Sequence, residues 1–460
     1  MEAEKSIETT VTEENRTADK LPLSEKISYS FTDLAGNMLY VTITTYIMYF
    51  YTDVFGISVA AAGLILLIAR VVDAVSAPVW GIIIDHTQTK WGQSRPYFLW
   101  LAIPFGVATV LAFLSPSLPD TGKYWYAAIT YILAAGIIYT GIQTPINSIL
   151  PNLTKDSNER VAANTFRMIG GNVGAFIAGS AVLPLVGLVG QGNDRVGFPL
   201  AIGILAILAI FLLLFAFKNL KERHTNNSEP IPLKKSIRAT YRNWPWFLLI
   251  GSFILFWIAQ TSRISMSVYY AQYNLGNANL AAIFNGLTIL GMLGTLLTPF
   301  LVKIANKHMT MIIGFLIGIA GQTLMAFFEY SIPLIMISWV IAIFGFAIAI
   351  AMPFAMLADT VDYGEWKNGV RATGFLTAIG GAFCIQLGSG FGSFIPSLIM
   401  EASGFVANQA QSEASLSAIK FSFIWLPVII SIIAIIPMIF YRRFEKQESK
   451  IKKDLQERHQ

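Results

Sequence analysis

The chain is 460 residues long, 55% hydrophobic and 13% charged, with a mean hydropathy of +0.59, which is more apolar side chain than one soluble core can hide. Its net charge of +5 would suggest nucleic acid in a soluble protein, but the lysines and arginines fall in alternate loops, the pattern of membrane orientation. The single cysteine, Cys384, lies inside an apolar run, which excludes an intramolecular disulfide and makes the thiol a packing group.

Residues 1–26 are polar and mixed in charge. They lack an apolar core with a small-residue cleavage site, so they predict a cytoplasmic tail and not a removable signal peptide. Apolar segments then follow at roughly 27–52, 58–84, 97–116, 124–150, 161–190, 197–217, 244–272, 279–304, 308–328, 331–357, 372–400 and 421–441, each long enough to cross about 30 Å of hydrocarbon. Lipid offers no partner to a bare N–H or C=O, so long runs without alternation predict helices and an all-α membrane protein of about twelve spans. The connectors holding Lys90 and Arg95, Lys155 and Arg160, Lys218 to Arg242, and Lys303 and Lys307 are basic, as is the stretch from Arg442. The intervening ones are nearly free of Lys and Arg, which predicts that both termini are cytoplasmic.

The longest polar interruption, with Pro230 and Pro232, divides the spans six and six. The expected organisation is a tail (1–26), a six-helix half (27–217), a linker (218–243), a second half (244–441) and a C-terminal tail (442–460). An internal repeat supports it. Pro145, Arg160 and Phe166-Arg167-Met168-Ile169-Gly170-Gly171 are echoed by Pro353, Arg371 and Phe375-Leu376-Thr377-Ala378-Ile379-Gly380-Gly381, and Ala77-Pro78 by Thr298-Pro299. Paired six-helix halves are a common plan of secondary transporters.

An ionisable group in mid-membrane costs about 2.5–3.5 kcal/mol on insertion scales, so each one points to a partner or a wet cavity. Asp33, Asn37, Tyr40 and Thr44 share one helical face, a candidate cavity wall or else a set of interhelical hydrogen bonds. Arg70, Asp73 and Ser76, three apart, stack a cation, a carboxylate and a hydroxyl; Asp73 is the candidate titratable or cation-binding group, with a purely structural Arg70–Asp73 pair as the alternative. Tyr139, Gln143 and Asn147 offer a ring and two amides suited to an uncharged polyhydroxy ligand. Asn164, Arg167 and Gly171 share a face, as do Gln260, Arg263, Ser267 and Tyr270; either arginine binds substrate or snorkels to an interface. The four histidines lie in loops, span ends or tails, and no G-x-x-x-x-G-K-[ST] loop occurs, which speaks against an enzyme, a metal cluster or an ATP-driven pump.

The runs Tyr51-Thr52-Asp53-Val54-Phe55-Gly56, Ala69-Arg70-Val71-Val72-Asp73-Ala74 and Lys90-Trp91-Gly92-Gln93-Ser94-Arg95-Pro96 resemble the glycoside-pentoside-hexuronide cation symporters of the major facilitator superfamily, the family of the melibiose permease. Ala358-Asp359-Thr360-Val361-Asp362-Tyr363-Gly364-Glu365-Trp366 with Arg371-Ala372-Thr373-Gly374 carries the same resemblance, which covers nearly all of 27–441. It implies a major facilitator fold and sugar transport with sodium, lithium or a proton. Matching by motif puts Asn37 and Gln143 where the melibiose permease grips its sugar with carboxylates. The family's cation site resembles Asp73 with Thr140, and with Ser76 beside them, but Ala77 stands where a second carboxylate is expected. Gln386, or Ile385 without a gap, replaces a lysine of the eleventh span. The segment from Gly81 to Arg95 also resembles the loop between spans two and three of facilitators generally. There Asp85, Lys90 and Arg95 would latch helices, with Asp359, Asp362, Glu365 and Arg371 supplying the matching charges.

The expected substrate ligands are therefore Asn37, Tyr40, Gln143, Asn147, Arg167 and Gln386. Asp73, Ser76 and Thr140 are the expected coupling groups, with a proton as coupling ion in preference to sodium and no cofactor. The expected protein is an importer of a sugar or glycoside that acts as a monomer in the cell membrane. An uncoupled facilitator or exchanger and a non-transporting sensor are the alternatives.

Overall fold

A computed structural model of the chain describes residues 20–224, 240–328, 331–369, 376–377 and 379–459. Among these, helix is the regular structure throughout, apart from one isolated pairing of Thr89 with Gly92. The main helices are α1 (Leu23–Tyr49), α2 (Val59–Asp85), α3 (Ala102–Ala112), α4 (Asp120–Tyr131), α5 (Tyr139–Ser148), α6 (Ser157–Gly190), α7 (Asp194–Asn219), α8 (Trp244–Tyr269), α9 (Gly291–Phe327), α10 (Ile332–Asn368), α11 (Cys384–Ala402), α12 (Leu426–Glu445) and α13 (Glu448–His459). π-helical turns extend several of them, at Phe50–Phe55, Ile132–Ile138, Tyr270–Asn274, Ile379–Phe383 and Phe421–Trp425.

Nine helical stretches among the described residues are long and apolar enough to cross a membrane. One of them, Asn279–Phe327, holds two helices across a kink at Asn306, whose φ is 62°. This is where the basic Lys303 and Lys307 connector was expected. Two further helices fall outside the nine: α3, which is short, and α1, which carries Glu25, Lys26, Asp33 and Asn37. The sequence sets the helix ends locally. Asn193 accepts the N–H of Arg195 at 3.1 Å and opens α7, while Asn243 accepts that of Trp246 at 3.3 Å and is followed by Pro245 in the first turn of α8. Large apolar side chains such as Ile207, Phe211, Leu296 and Ile304 stand exposed on the helices, as a lipid-facing surface requires.

The chain forms two compact units. The first comprises Met1–Ile47 with Val75–Ser228, the second Met48–Ala74 with Glu229–Gln460, so α2 begins in the second and ends in the first. In the first unit, Glu222 follows α7 and its carboxylate accepts the backbone N–H groups of Gln93, Ser94 and Arg95 at 3.1, 2.8 and 2.7 Å, and Asn152 Nδ2 at 3.0 Å. Three successive amides closing on one carboxylate form an anion-holding nest. Gly92, at φ 110°, makes room for it, because a Cβ there would lie 2.5 Å from Glu222 Cδ. Arg223 then grips Glu25 through two bonds of 2.8 and 2.6 Å.

In the second unit, α9 and α10 meet at bare backbone: a Cβ on Gly345 would come within 2.2 Å of Gly318 N. The stretch after Tyr441, expected as a tail, is helical. α13 buries Ile451 and Leu455 in the same apolar cluster as Tyr363, Tyr441 and Phe444, and Asp454 accepts Trp366 Nε1 at 3.0 Å. Ile451 and Leu455 are four apart, which puts both on the face that docks.

Candidate functional site

The polar cluster of the first unit is built on three helices. On α1, Asn37 Nδ2 donates to the Asp33 carbonyl at 3.0 Å and to Asp33 Oδ1 at 3.1 Å. From α6, Arg167 Nη1 lies 3.3 Å from Asp33 Oδ2 and 3.4 Å from Asn147 Oδ1 of α5, while its Nε donates to Asn164 Oδ1 at 3.0 Å. Gln143 of α5 also hydrogen-bonds the Asp33 carboxylate, and its Oε1 is buried with no hydrogen-bond partner. Tyr40 stacks on Tyr139 with ring centroids 3.9 Å apart and planes 10° from parallel. Gly171 lets α6 approach: a Cβ there would stand 2.8 Å from Asp33 Oδ2 and 3.1 Å from Asn37 Nδ2.

Five of the expected substrate ligands, Asn37, Tyr40, Gln143, Asn147 and Arg167, thus lie on neighbouring turns of these three helices. The periodicity of α1 had put Asp33 on the same face. What it did not show is that Asp33 is the hub and that its counter-charge comes from α6. The positive charge of Arg167 cancels that of the carboxylate, so the cluster carries donors and acceptors without net charge.

Gln386, the sixth expected ligand, belongs to the second unit. Its Oε1 accepts from Arg70 Nη1 at 3.1 Å, and the same nitrogen is 4.0 Å from Asp73 Oδ2. Gly390, one turn on, leaves space for the Arg70 stem, since a Cβ there would be 3.3 Å from Arg70 Cβ and Cγ. Ser76 and Thr140, the other expected coupling groups, lie in the first unit. Both hydroxyls donate to the Gly136 carbonyl, at 2.6 and 3.3 Å. That carbonyl sits in the π-helical turn preceding α5, where irregular winding frees backbone acceptors.

Among the expected latch groups, Arg95 donates to the carbonyls of Phe217 at 2.5 Å and Lys218 at 3.4 Å and lies 4.8 Å over the Phe217 ring, all within the first unit. Asp359 takes Lys307 Nζ, which also reaches Glu448 at 3.1 Å; Glu445 bonds His308 beside them. Asp362 and Glu365 stand on the same stretch of α10, half-buried and buried. Arg371 and the side chain of Asp85 lie outside the described residues. Arg263 does not snorkel: it is 2% exposed, donates to Gln260 and is packed against the rings of Trp339 and Phe346, 4.3 and 4.6 Å from their centroids.

A further cluster escaped the sequence reading. Asp53, in the π-helical turn after α1, accepts from the hydroxyls of Tyr273 and Thr52, the latter at 2.6 Å, and its carbonyl accepts Asn408 Nδ2 at 2.5 Å. Phe405 packs edge-on against Tyr269 and Tyr273. A pocket of about 440 Å³ lies beside it, lined by Thr52, Gly56, Ser58, Glu401, Phe405 and Asn408 among others.

Comparison with known proteins places this architecture. The family described as MFS/sugar transport protein matches residues 28–443. The isoprimeverose transporter of Lactiplantibacillus pentosus is 40% identical over 445 residues, covering 95% of this chain and 92% of the relative. An inner membrane symporter of Escherichia coli, YicJ, is 32% identical over 434 residues, covering 92% and 90%. Among solved structures, a bacterial homolog of the human lysosomal transporter Spinster, inward-facing and unoccupied, superposes with a TM-score of 0.71 at 16% identity over 93% of this chain and 97% of that one. The nucleoside transporter NupG gives 0.65 at 14% identity over 92% and 99%. The fold is that of the major facilitator superfamily, and the chain belongs to its MFS/sugar transport family, among the glycoside-pentoside-hexuronide cation symporters.

Proposed function

We propose that this sugar symporter imports isoprimeverose or a closely similar neutral glycoside, by alternating access, together with a proton. The observation that carries the reading is the charge-cancelled cluster of the first unit. Asn37, Gln143 and Asn147 surround the Asp33–Arg167 pair with neutral donors and acceptors, and Gln143 Oε1 is buried with its hydrogen bond unmade. A buried acceptor left open favours a ligand that brings a hydroxyl donor, which a carboxylate or sulfonate group cannot supply. The 40% identity to an isoprimeverose transporter supports the same substrate class.

A proton is the coupling ion in this reading because Ala77 removes a carboxylate from the place where the family's sodium site needs oxygen, whereas a proton needs one carboxylate only. The protein resides in the cell membrane as a monomer, with both termini and the 218–243 linker cytoplasmic and six helices in each half. Counterflow tests the substrate class. Vesicles containing the full chain and preloaded with isoprimeverose should take up labelled isoprimeverose, with neutral disaccharides competing and uronic or sulfonated sugars not. Preferential exchange of a charged sugar would refute the reading.

A further inference from the structure

Asp73 and Asp33 each pair with an arginine, and their surroundings differ in three respects. Asp73 and Arg70 are three residues apart on α2, so their pair lies within one helix; Asp33 and Arg167 are 134 residues apart and tie α1 to α6. The Arg70 and Asp73 side chains are 5% and 4% exposed, whereas Arg167 and Asp33 are 19% and 8% exposed, so the second pair is the more open to proton exchange. The third difference lies in what the partners hold. Asn37 Nδ2 and Arg167 Nη1, which bond the Asp33 carboxylate, belong to the cluster assigned above to the sugar, where Arg167 Nη1 also bonds Asn147 Oδ1 at 3.4 Å and Gln143 Oε1 is buried with no hydrogen-bond partner. Arg70 divides its guanidinium between Asp73 and Gln386 instead.

We propose that Asp33, and not Asp73, is the carboxylate whose protonation couples the proton to the sugar, and that Arg70, Asp73 and Gln386 form a fixed structural group. The inference rests on the proposed proton-coupled sugar symport. Coupling requires that one ligand change the free energy of binding the other. A proton on Asp33 Oδ2 cancels the attraction to Arg167 Nη1 and relaxes the hold on Asn37 Nδ2, releasing two donors to substrate hydroxyls. Arg167 is not stranded by the change, since Asn164 Oδ1 and Asn147 Oδ1 continue to accept from it. When the sugar leaves, both donors return to the carboxylate and expel the proton. The groups facing Asp33 are compatible with this cycle: Tyr29 one turn earlier on α1, whose hydroxyl is committed to the Ile146 carbonyl at 2.8 Å, Arg167 from α6, and the amides Gln143 and Asn147 from α5. Protonated Asp33 binds sugar better, so sugar affinity rises as pH falls.

The test is the Kd of the purified full chain for isoprimeverose as a function of pH, with accumulation in vesicles as second readout. Wild type should bind more tightly at low pH. Asp33→Asn should bind tightly at every pH, retain exchange and lose proton-driven accumulation, while Asp73→Asn should keep the wild-type slope. Should Asp33→Asn fail to fold, Asp33→Glu keeps the carboxylate one methylene further on and should shift the midpoint of the slope, with Asp73→Glu leaving it in place. A slope that survives in Asp33→Asn, or one lost in a folded Asp73→Asn, or a midpoint moved by Asp73→Glu and not by Asp33→Glu, overturns the inference and leaves sugar symport standing. A wild type that binds isoprimeverose with no pH dependence overturns the inference and proton coupling together, and one that does not bind it overturns the substrate reading as well.

Discussion

Replacing Asn37 with alanine removes one side-chain amide that does two things. Its Nδ2 gives bonds of 3.0 and 3.1 Å to the carbonyl and carboxylate of Asp33, and in the proposed site it faces the sugar. A neutral hydrogen bond to a ligand is worth about 0.5–1.5 kcal/mol net. Losing one at the upper end of that range weakens binding by about tenfold, since about 1.4 kcal/mol is a decade in Kd. The bond to the ionised Asp33 is stronger, about 1.5–3 kcal/mol, but Arg167 still holds that carboxylate at 3.3 Å, so the protein should remain folded. Isothermal titration or equilibrium binding of isoprimeverose should therefore show a Kd raised about tenfold or more in a variant that still unfolds cooperatively, with its thermal midpoint lowered by the lost bond to Asp33, and Gln143→Ala should behave alike. Wild-type affinity in both folded variants would refute the placement of the site on α1 and α5.

Elsewhere, Glu222→Gln replaces a carboxylate that holds three successive amides with a group that has a single acceptor oxygen. It should destabilise the first unit by about 1–3 kcal/mol and speed hydrogen exchange at Gln93–Arg95; unchanged exchange would contradict the nest. Leu455→Ala cuts into the buried face of α13, where such truncations cost about 2–5 kcal/mol in a well-packed core. α13 should then detach and become sensitive to protease while the rest keeps its melting behaviour; a resistant helix would show that Ile451 and the Trp366–Asp454 bond suffice. Tyr273→Phe removes the hydroxyl that donates to Asp53 and accepts Asn408 N–H at 3.0 Å. Exchange at Phe405–Asn408 should rise about tenfold with sugar affinity unaltered, and a change confined to affinity would mean that Tyr273 contacts substrate.

What was legible in the sequence followed from periodicity and hydropathy. Long apolar runs forced helices because lipid leaves the backbone no other partner, and the four-residue spacing of Asp33, Asn37, Gln143 and Asn147 put them on shared faces. Pairing between helices was not legible. Asp33 and Arg167 are far apart in the chain, and helical period says which face a residue occupies but not which helix that face meets. Gln386 shows the same limit: it was expected with the sugar ligands, yet α11 presents it to Arg70. The Glu222 nest is built from backbone amides, which carry no sequence signal at all, and Glu222 stood in what read as a polar linker. The helical stretch after Tyr441 did leave a signal. Ile451 and Leu455 are four apart, an amphipathic pattern obscured by the surrounding charges.

In the proposed cycle one proton moves with one neutral glycoside. Vesicles reconstituted with the full chain, clamped at zero membrane potential and given an inward proton gradient of about one pH unit, test it directly. Labelled isoprimeverose should accumulate up to about tenfold, the ratio that about 1.4 kcal/mol sustains at one-to-one coupling, with sodium on either side making no difference. Uptake that only equilibrates, or that accumulates solely on a sodium gradient, would rule out proton symport.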